Sequence, residues 1–223
     1  MDTKAKGIIL KLTDYKDADR LASVFAFDEG IITCKFTGVR KEKAKLKSAA
    51  QPFTFIDFIF SEKSDKKTIT SCDIVDSFVG LYSNYDKTIC GYIILDTISS
   101  ILPKGKEENE ILLLLINALK DIETKDEYVA TIRFIVNFID FMGLGLDLID
   151  KKYVYLDTLT GNFTGEHTNQ TVQIDNKVYS LIKSSTDKKE VECVVNTKKQ
   201  ALRLLHNILL LKFNEDVKSF KYL

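Results

Sequence analysis

Tryptophan is absent from the 223 residues, and there are only two prolines, two histidines and four cysteines. The missing tryptophan and scarce proline say little about function. The scarce histidine and the cysteine spacing say more. Cys34, Cys72, Cys90 and Cys193 form no CxxC pair, and we read all four as reduced, small residues in a reducing compartment. No P-loop, GxSxG, HExxH or GxGxxG occurs. Asp14, Asp17 and Asp19 cluster, but Lys16 and Arg20 interleave them without EF-hand spacing. Gly143-Leu144-Gly145 is a helix stop, not a phosphate cradle. These absences exclude the common enzyme constellations. The chain is read as a non-enzyme, with no catalytic residue, cofactor or metal assigned. Long apolar runs are lacking too. The run Ile111 to Ile116 is far too short to span a bilayer, and the opening MDTKAKGIIL lacks a signal-peptide core. A cytoplasmic protein without a membrane contact is expected.

Net charge is the last absence: 32 Lys and Arg balance 32 Asp and Glu. The balance hides a local concentration. Across KFTGVRKEKAKLK, the cations Lys35, Arg40, Lys41, Lys43, Lys45 and Lys47 face Glu42 alone. Such a patch attracts polyanions, of which nucleic acid is the commonest. A solvated, flexible loop carries the same composition, so the run by itself leaves both readings open.

The first 72 residues read as β-structure. Strands are predicted at Gly7 to Leu12, Leu21 to Phe27, Ile31 to Thr37, Phe53 to Phe60 and Thr68 to Cys72. Asp28-Glu29-Gly30 is a tight turn, with Gly30 suited to positive φ. Five short strands at hairpin spacing fit an OB-type barrel. From Asp73 the period becomes helical, with Ile74, Val75, Phe78, Leu81 and Tyr82 at three- and four-residue spacing and Asp73 as the cap. Further helices are predicted over Ile89 to Leu102, Glu107 to Leu119 and Glu127 to Met142. A hairpin follows, with Lys152 to Leu156 and Asn162 to Thr164 flanking the turn Asp157 to Gly161. Asp175 to Lys183 is a short helix, and Thr197 is expected to cap a longer one from Lys198 to Lys212. The fold class is α+β: a five-stranded barrel over 1–72, then a mostly helical domain over 73–223 with a hairpin insertion near 150–170.

This order of features resembles the RecO family of bacterial recombinational DNA-repair mediators. The resemblance rests on IILKLTDYKDADRLASVFAFDEGIITCKFTGVRK, on the basic segment GVRKEKAKLKSAAQPF running into a strand, and on the closing VKSF. It covers essentially the whole chain. Each motif alone is weak, and their order and spacing together are fairly specific. The resemblance implies an N-terminal OB-fold and a cytoplasmic, nucleoid-associated protein. It implies binding of single- and double-stranded DNA, annealing of complementary strands, and help in loading RecA onto DNA covered by single-strand-binding protein. It also implies two protein partners, RecR and the C-terminal tail of the single-strand-binding protein. Many relatives carry a four-cysteine zinc site at the hairpin. Here no cysteine lies between Gly143 and Val191, and Asp147, Asp150, Glu166 and His167 do not make a tetrahedral set. The hairpin is expected to lack zinc and to be held by Tyr153, Tyr155, Leu156 and Phe163.

The nucleic-acid-binding candidates are therefore Lys35, Arg40, Lys41, Lys43, Lys45 and Lys47, joined by Lys16 and Arg20 from the turn after the first strand. Cations of this kind neutralise phosphates and release counterions without reading sequence. Phe36, Phe53 and Phe55 could stack bases, but filling the barrel core is the preferred reading. Lys199 and Arg203, four apart on one helix face, could meet DNA or an acidic partner, or simply be a solvated face. His206 and His167 are given no chemistry. The alternative function, from another class, is a protein-interaction scaffold whose barrel docks an acidic partner.

Overall fold

Polar residues on either side of the first apolar run lengthen it into a strand, β1, from Asp2 to Tyr15. The run itself needs only Gly7 to Leu12, but ladder hydrogen bonds do not require apolar side chains. Residues 2–8 of β1 pair antiparallel with β4 (Phe55–Lys63), and residues 7–15 pair with β2 (Asp19–Ala26). The register shifts between Ile9 and Lys11, a bulge that explains why Ile8, Ile9 and Leu10 are all buried in succession. β2 pairs with β3 (Gly30–Phe36), and β5 (Lys66–Asp76) pairs antiparallel with β4 and parallel with β3 through Cys34 and Lys35. The barrel closes in the order β1-β2-β3-β5-β4. This is the OB-type barrel expected.

The computed structural model describes residues 2–186 and 193–223. Its contacts divide the chain into two compact units, Met1–Gly80 with Leu102–Lys120, and Leu81–Ile101 with Asp121–Leu223. The barrel core gathers Ile9, Val24, Phe36, Ile56, Phe58, Phe60 and Ile69. Phe36 and Phe53 are fully buried, Phe36 within the barrel core, whereas Phe55 is half-buried. Residues 102–108 turn back on the β2–β3 turn. The Gly105 amide donates to the Ile31 carbonyl at 3.2 Å, and Asp28 exchanges two hydrogen bonds with the Asn109 side chain.

The helix expected from Asp73 does not form. β5 continues through Asp76, with Asp73 opposite Asp57 and Ile74 opposite Ile56. The Asp76 carboxylate then accepts the Phe78 amide at 3.0 Å, and Phe78 adopts a left-handed φ of 43°. Only a 3₁₀ turn, Val79–Tyr82, follows. Ile74 and Val75, which supplied the helical spacing, are exposed strand residues.

The second unit contains α1 (Tyr85–Ile101), α3 (Glu127–Phe141), α4 (Asn176–Thr186) and α5 (Val195–Phe213), while α2 (Asn109–Thr124) lies mostly in the first unit. Asn84 caps α1 by accepting the Lys87 amide at 2.7 Å, and Asp126 caps α3 by accepting that of Val129 at 3.0 Å. α3 is apolar around most of its circumference and is the buried centre of the unit, touching α1, α4 and α5. Thr197 does not cap α5. The helix starts one turn earlier from Val194, and Thr197 is buried inside it.

The insertion is a sheet of β6 (Tyr155–Asp157), β7 (Phe163–Thr164) and β8 (Thr171–Gln173), ordered β7-β6-β8. The hairpin is as expected, and the polar β8 was not foreseen. Leu156 and Phe163 are buried, with the Phe163 ring edge-on to Tyr179 at 4.9 Å. Tyr153 is 50% exposed, so it does not hold the hairpin as expected. Among the described residues no three His, Cys, Asp or Glu side chains converge as metal ligands.

Candidate nucleic-acid interface

The basic run lies in the β3–β4 connection, residues 37–54, and it is not a featureless loop. Val39, Ala49 and Ala50 are buried in the barrel core, with Leu46 packed against them. Between these apolar pegs the backbone winds in successive tight turns. The amides of Lys41, Ala44 and Lys47 donate to the carbonyls of Gly38, Lys41 and Ala44 at 3.1, 3.1 and 3.2 Å. Small apolar residues point inward and lysines outward. Lys41, Lys43, Lys45 and Lys47 are all exposed. Among the described residues none of the four has an acid within ion-pairing distance.

Arg40 and Arg20 are differently placed. Asp14, near the end of β1, accepts Arg20 Nε at 3.0 Å and Arg40 Nη2 at 3.3 Å. Arg40 also donates to the carbonyls of Lys16 and Asp17 at 3.3 and 3.4 Å. Its amide donates to the Ala18 carbonyl at 2.9 Å, and the Gly38 amide to Asp19 Oδ1 at 2.7 Å. The start of the basic connection is thus moored on the β1–β2 turn. Arg20 Nη1 reaches the Ala50 carbonyl at the far end, at 3.5 Å.

Beside this turn lies a groove of about 680 Å³, bounded by the β1–β2 turn, the outer faces of β2 and β3, and the β4–β5 hairpin. Lys16, Lys35, Lys63, Lys66 and Lys67 line it, with Asp65 as the acid. Tyr15 and Leu21 add apolar surface. The hairpin turns on Ser64 and Asp65, at φ 50° and 59°, as a two-residue loop with both central residues left-handed. Lys63 and Lys66 face each other across it. Lys67 is occupied by Glu62 at 2.7 Å, and that hydrogen bond raises its pKa. The net field in the groove is positive and its mouth is open, an arrangement that concentrates polyanions.

The structure therefore brings Lys16 and Lys35 into one groove, whereas Arg20 and Arg40 do not line it and are held by Asp14. Lys41, Lys43, Lys45 and Lys47 lie on the adjoining connection and do not line the groove. Lys63 and Lys66 are not among the candidates the sequence offers. Their available signal was the pair of lysines bracketing Ser64-Asp65. Lys199 and Arg203 belong to the other unit. Lys199 Nζ is 3.6 Å from Asp86 and 5.6 Å from the Tyr128 ring centre, and Arg203 donates to the Leu223 carbonyl at 3.4 Å. His206 sits 3.0 Å from Asp216 and stacks on Phe220, a packing role.

Two family models match the chain. Residues 1–78 match Recombination protein O N terminal, and residues 82–219 match Recombination protein O C terminal. Among curated proteins, the chain is similar to the DNA repair protein RecO of Caldicellulosiruptor saccharolyticus, 27% identical over 116 residues, covering 52% of this chain and 48% of the relative. That of Acetivibrio thermocellus is 24% identical over 123 residues, covering 55% and 49%. That of Caldicellulosiruptor bescii is 26% identical over 144 residues, covering 64% and 59%. These matches span about half, or slightly more, of the relatives' own length.

Proposed function

The chain belongs to the RecO family, and from that premise we propose that it acts in recombinational DNA repair as a non-enzymatic, cytoplasmic DNA-binding mediator. It binds single- and double-stranded DNA on the cationic side of the barrel and anneals complementary strands. With RecR it assists the loading of RecA onto DNA coated by single-strand-binding protein, whose C-terminal tail is a second protein contact. The observation that carries this reading is the combination of four exposed loop lysines without acid partners among the described residues and a lysine-lined groove next to the turn that moors their segment. In the groove, Lys16, Lys35, Lys63 and Lys66 meet phosphates. Tyr15, 37% exposed, offers a ring to a base. Contacts of this kind position a strand without selecting its sequence, as annealing requires.

The test is single-stranded DNA binding across a salt series, with Lys41, Lys43, Lys45 and Lys47 replaced together by alanine. Each lost phosphate contact flattens the plot of log affinity against log salt by about 0.7, so the variant's slope falls by up to about 3. Its melting temperature stays that of the wild type, because those side chains are exposed. An unchanged slope would show that the connection is not the DNA site. Wild-type protein that ignored DNA at low salt yet held an acidic peptide would favour the scaffold reading instead.

A further inference from the structure

Asp14 is an acid in the middle of a surface proposed to bind a polyanion. Simple electrostatics says it opposes binding, since its charge repels phosphate. Its contacts point the other way. Its two oxygens are held by two arginines that arrive from different elements, Arg20 on β2 and Arg40 from the β3–β4 connection. Asp14 and Arg20 are direct cross-strand partners on β1 and β2, so the aspartate is fixed by the barrel. Arg40 is fixed twice more, by the carbonyls of Lys16 and Asp17. Arg20 reaches Ala50, where the connection re-enters the core. The carboxylate thus ties the β1–β2 turn, one wall of the groove, to both ends of the segment that carries the loop lysines.

We infer that Asp14 is a positioning residue for nucleic-acid binding: it converts Arg20 and Arg40 from phosphate ligands into a clasp that presents Lys41, Lys43, Lys45 and Lys47 as a continuation of the groove. This rests on the DNA-binding reading above and deepens it. The clasp is a matter of geometry, not of global stability. Exposed ion pairs contribute little to folding, whereas ordering the loop lysines before DNA arrives removes an entropic cost of binding.

The experiment is fluorescence anisotropy of labelled oligothymidylate over a salt series, with Asp14→Asn, Asp14→Glu and Arg40→Lys compared with the wild type. Asp14→Asn makes the protein more positive by one charge. It nevertheless binds about threefold more weakly, with a shallower salt slope and an unchanged melting temperature. Asp14→Glu, which keeps the carboxylate, recovers at least part of that loss. Arg40→Lys keeps the charge but loses the planar fork, and it weakens binding to a similar degree. Should Asp14→Asn fail to fold, Arg40→Lys carries the test alone. Equal or tighter binding by Asp14→Asn, or wild-type binding by Arg40→Lys, overturns the clasp. A wild-type protein that does not bind the oligonucleotide overturns the DNA reading itself.

Discussion

Arg40 and Lys41 are neighbours in sequence and carry the same charge, yet their surroundings separate them. Arg40 is committed to Asp14 and two carbonyls, while Lys41 faces solvent with no acid in ion-pairing distance among the described residues. Charge is legible from a sequence, but whether a charge is already occupied is not, because Asp14 lies 26 positions away from Arg40 in the chain. The cysteines show the opposite case. Their isolation in the sequence suggests inert, reduced residues. In the fold all four are free, and burial pushes the thiols of Cys34, Cys72 and Cys90 up to about 12. The thiolate is the reactive form, so these three stay protonated at neutral pH. Titration of the native protein with a thiol-reactive dye should find at most one fast group, and four after denaturation. Two or more fast thiols would show that the barrel or α1 admits solvent to those sites.

At the scale of elements, legibility follows the period of the pattern. α3 and the apolar centre of β1 are strongly patterned and appear where expected. β5 beyond Cys72 has the spacing of a helix in Ile74, Val75, Phe78 and Leu81, although of these only Phe78 and Leu81 are buried. The pairing of Ile74 and Asp76 with β4 decides the conformation there, and pairing across the chain leaves no local mark. β8 was missed for the same reason. Its three residues are strand only because Asp157 to Tyr155 supply a ladder. The β2–β3 turn needs Gly30 for two reasons, of which the sequence shows one. Gly30 does have a φ of 67°, but a Cβ there would also lie 2.3 Å from the Lys106 carbonyl oxygen. Gly30→Ala therefore combines backbone strain with a clash against residues 102–108, and it should cost about 1–3 kcal/mol or more. Denaturant unfolding measures this directly. A loss no larger than that of an ordinary surface alanine would show that the segment yields freely.

For the whole molecule, the formal charge of zero is a sum that does not record where the charges lie, so net charge alone says nothing of what any one face attracts. The resemblance implies a four-cysteine zinc site at the hairpin in many relatives, and this sequence has no cysteine between Gly143 and Val191. Here Leu156, Phe163 and Tyr179 pack instead, with Tyr179 Oη bonded to the Ile149 carbonyl at 2.8 Å. A chelator should leave the melting temperature unchanged, and elemental analysis should find no stoichiometric zinc. One zinc per chain would mean that ligands had been overlooked.

Composition, period and motif order by themselves determined the barrel, the helical remainder, the hairpin and the membership of the family, because those depend on local patterns of apolar and turn residues. The tertiary structure alone decided which cations are available. A groove forms only when the β1–β2 turn, β3 and the β4–β5 hairpin meet, and an ion pair forms only when strands bring distant charges together. Both depend on distance in space, which sequence separation does not encode.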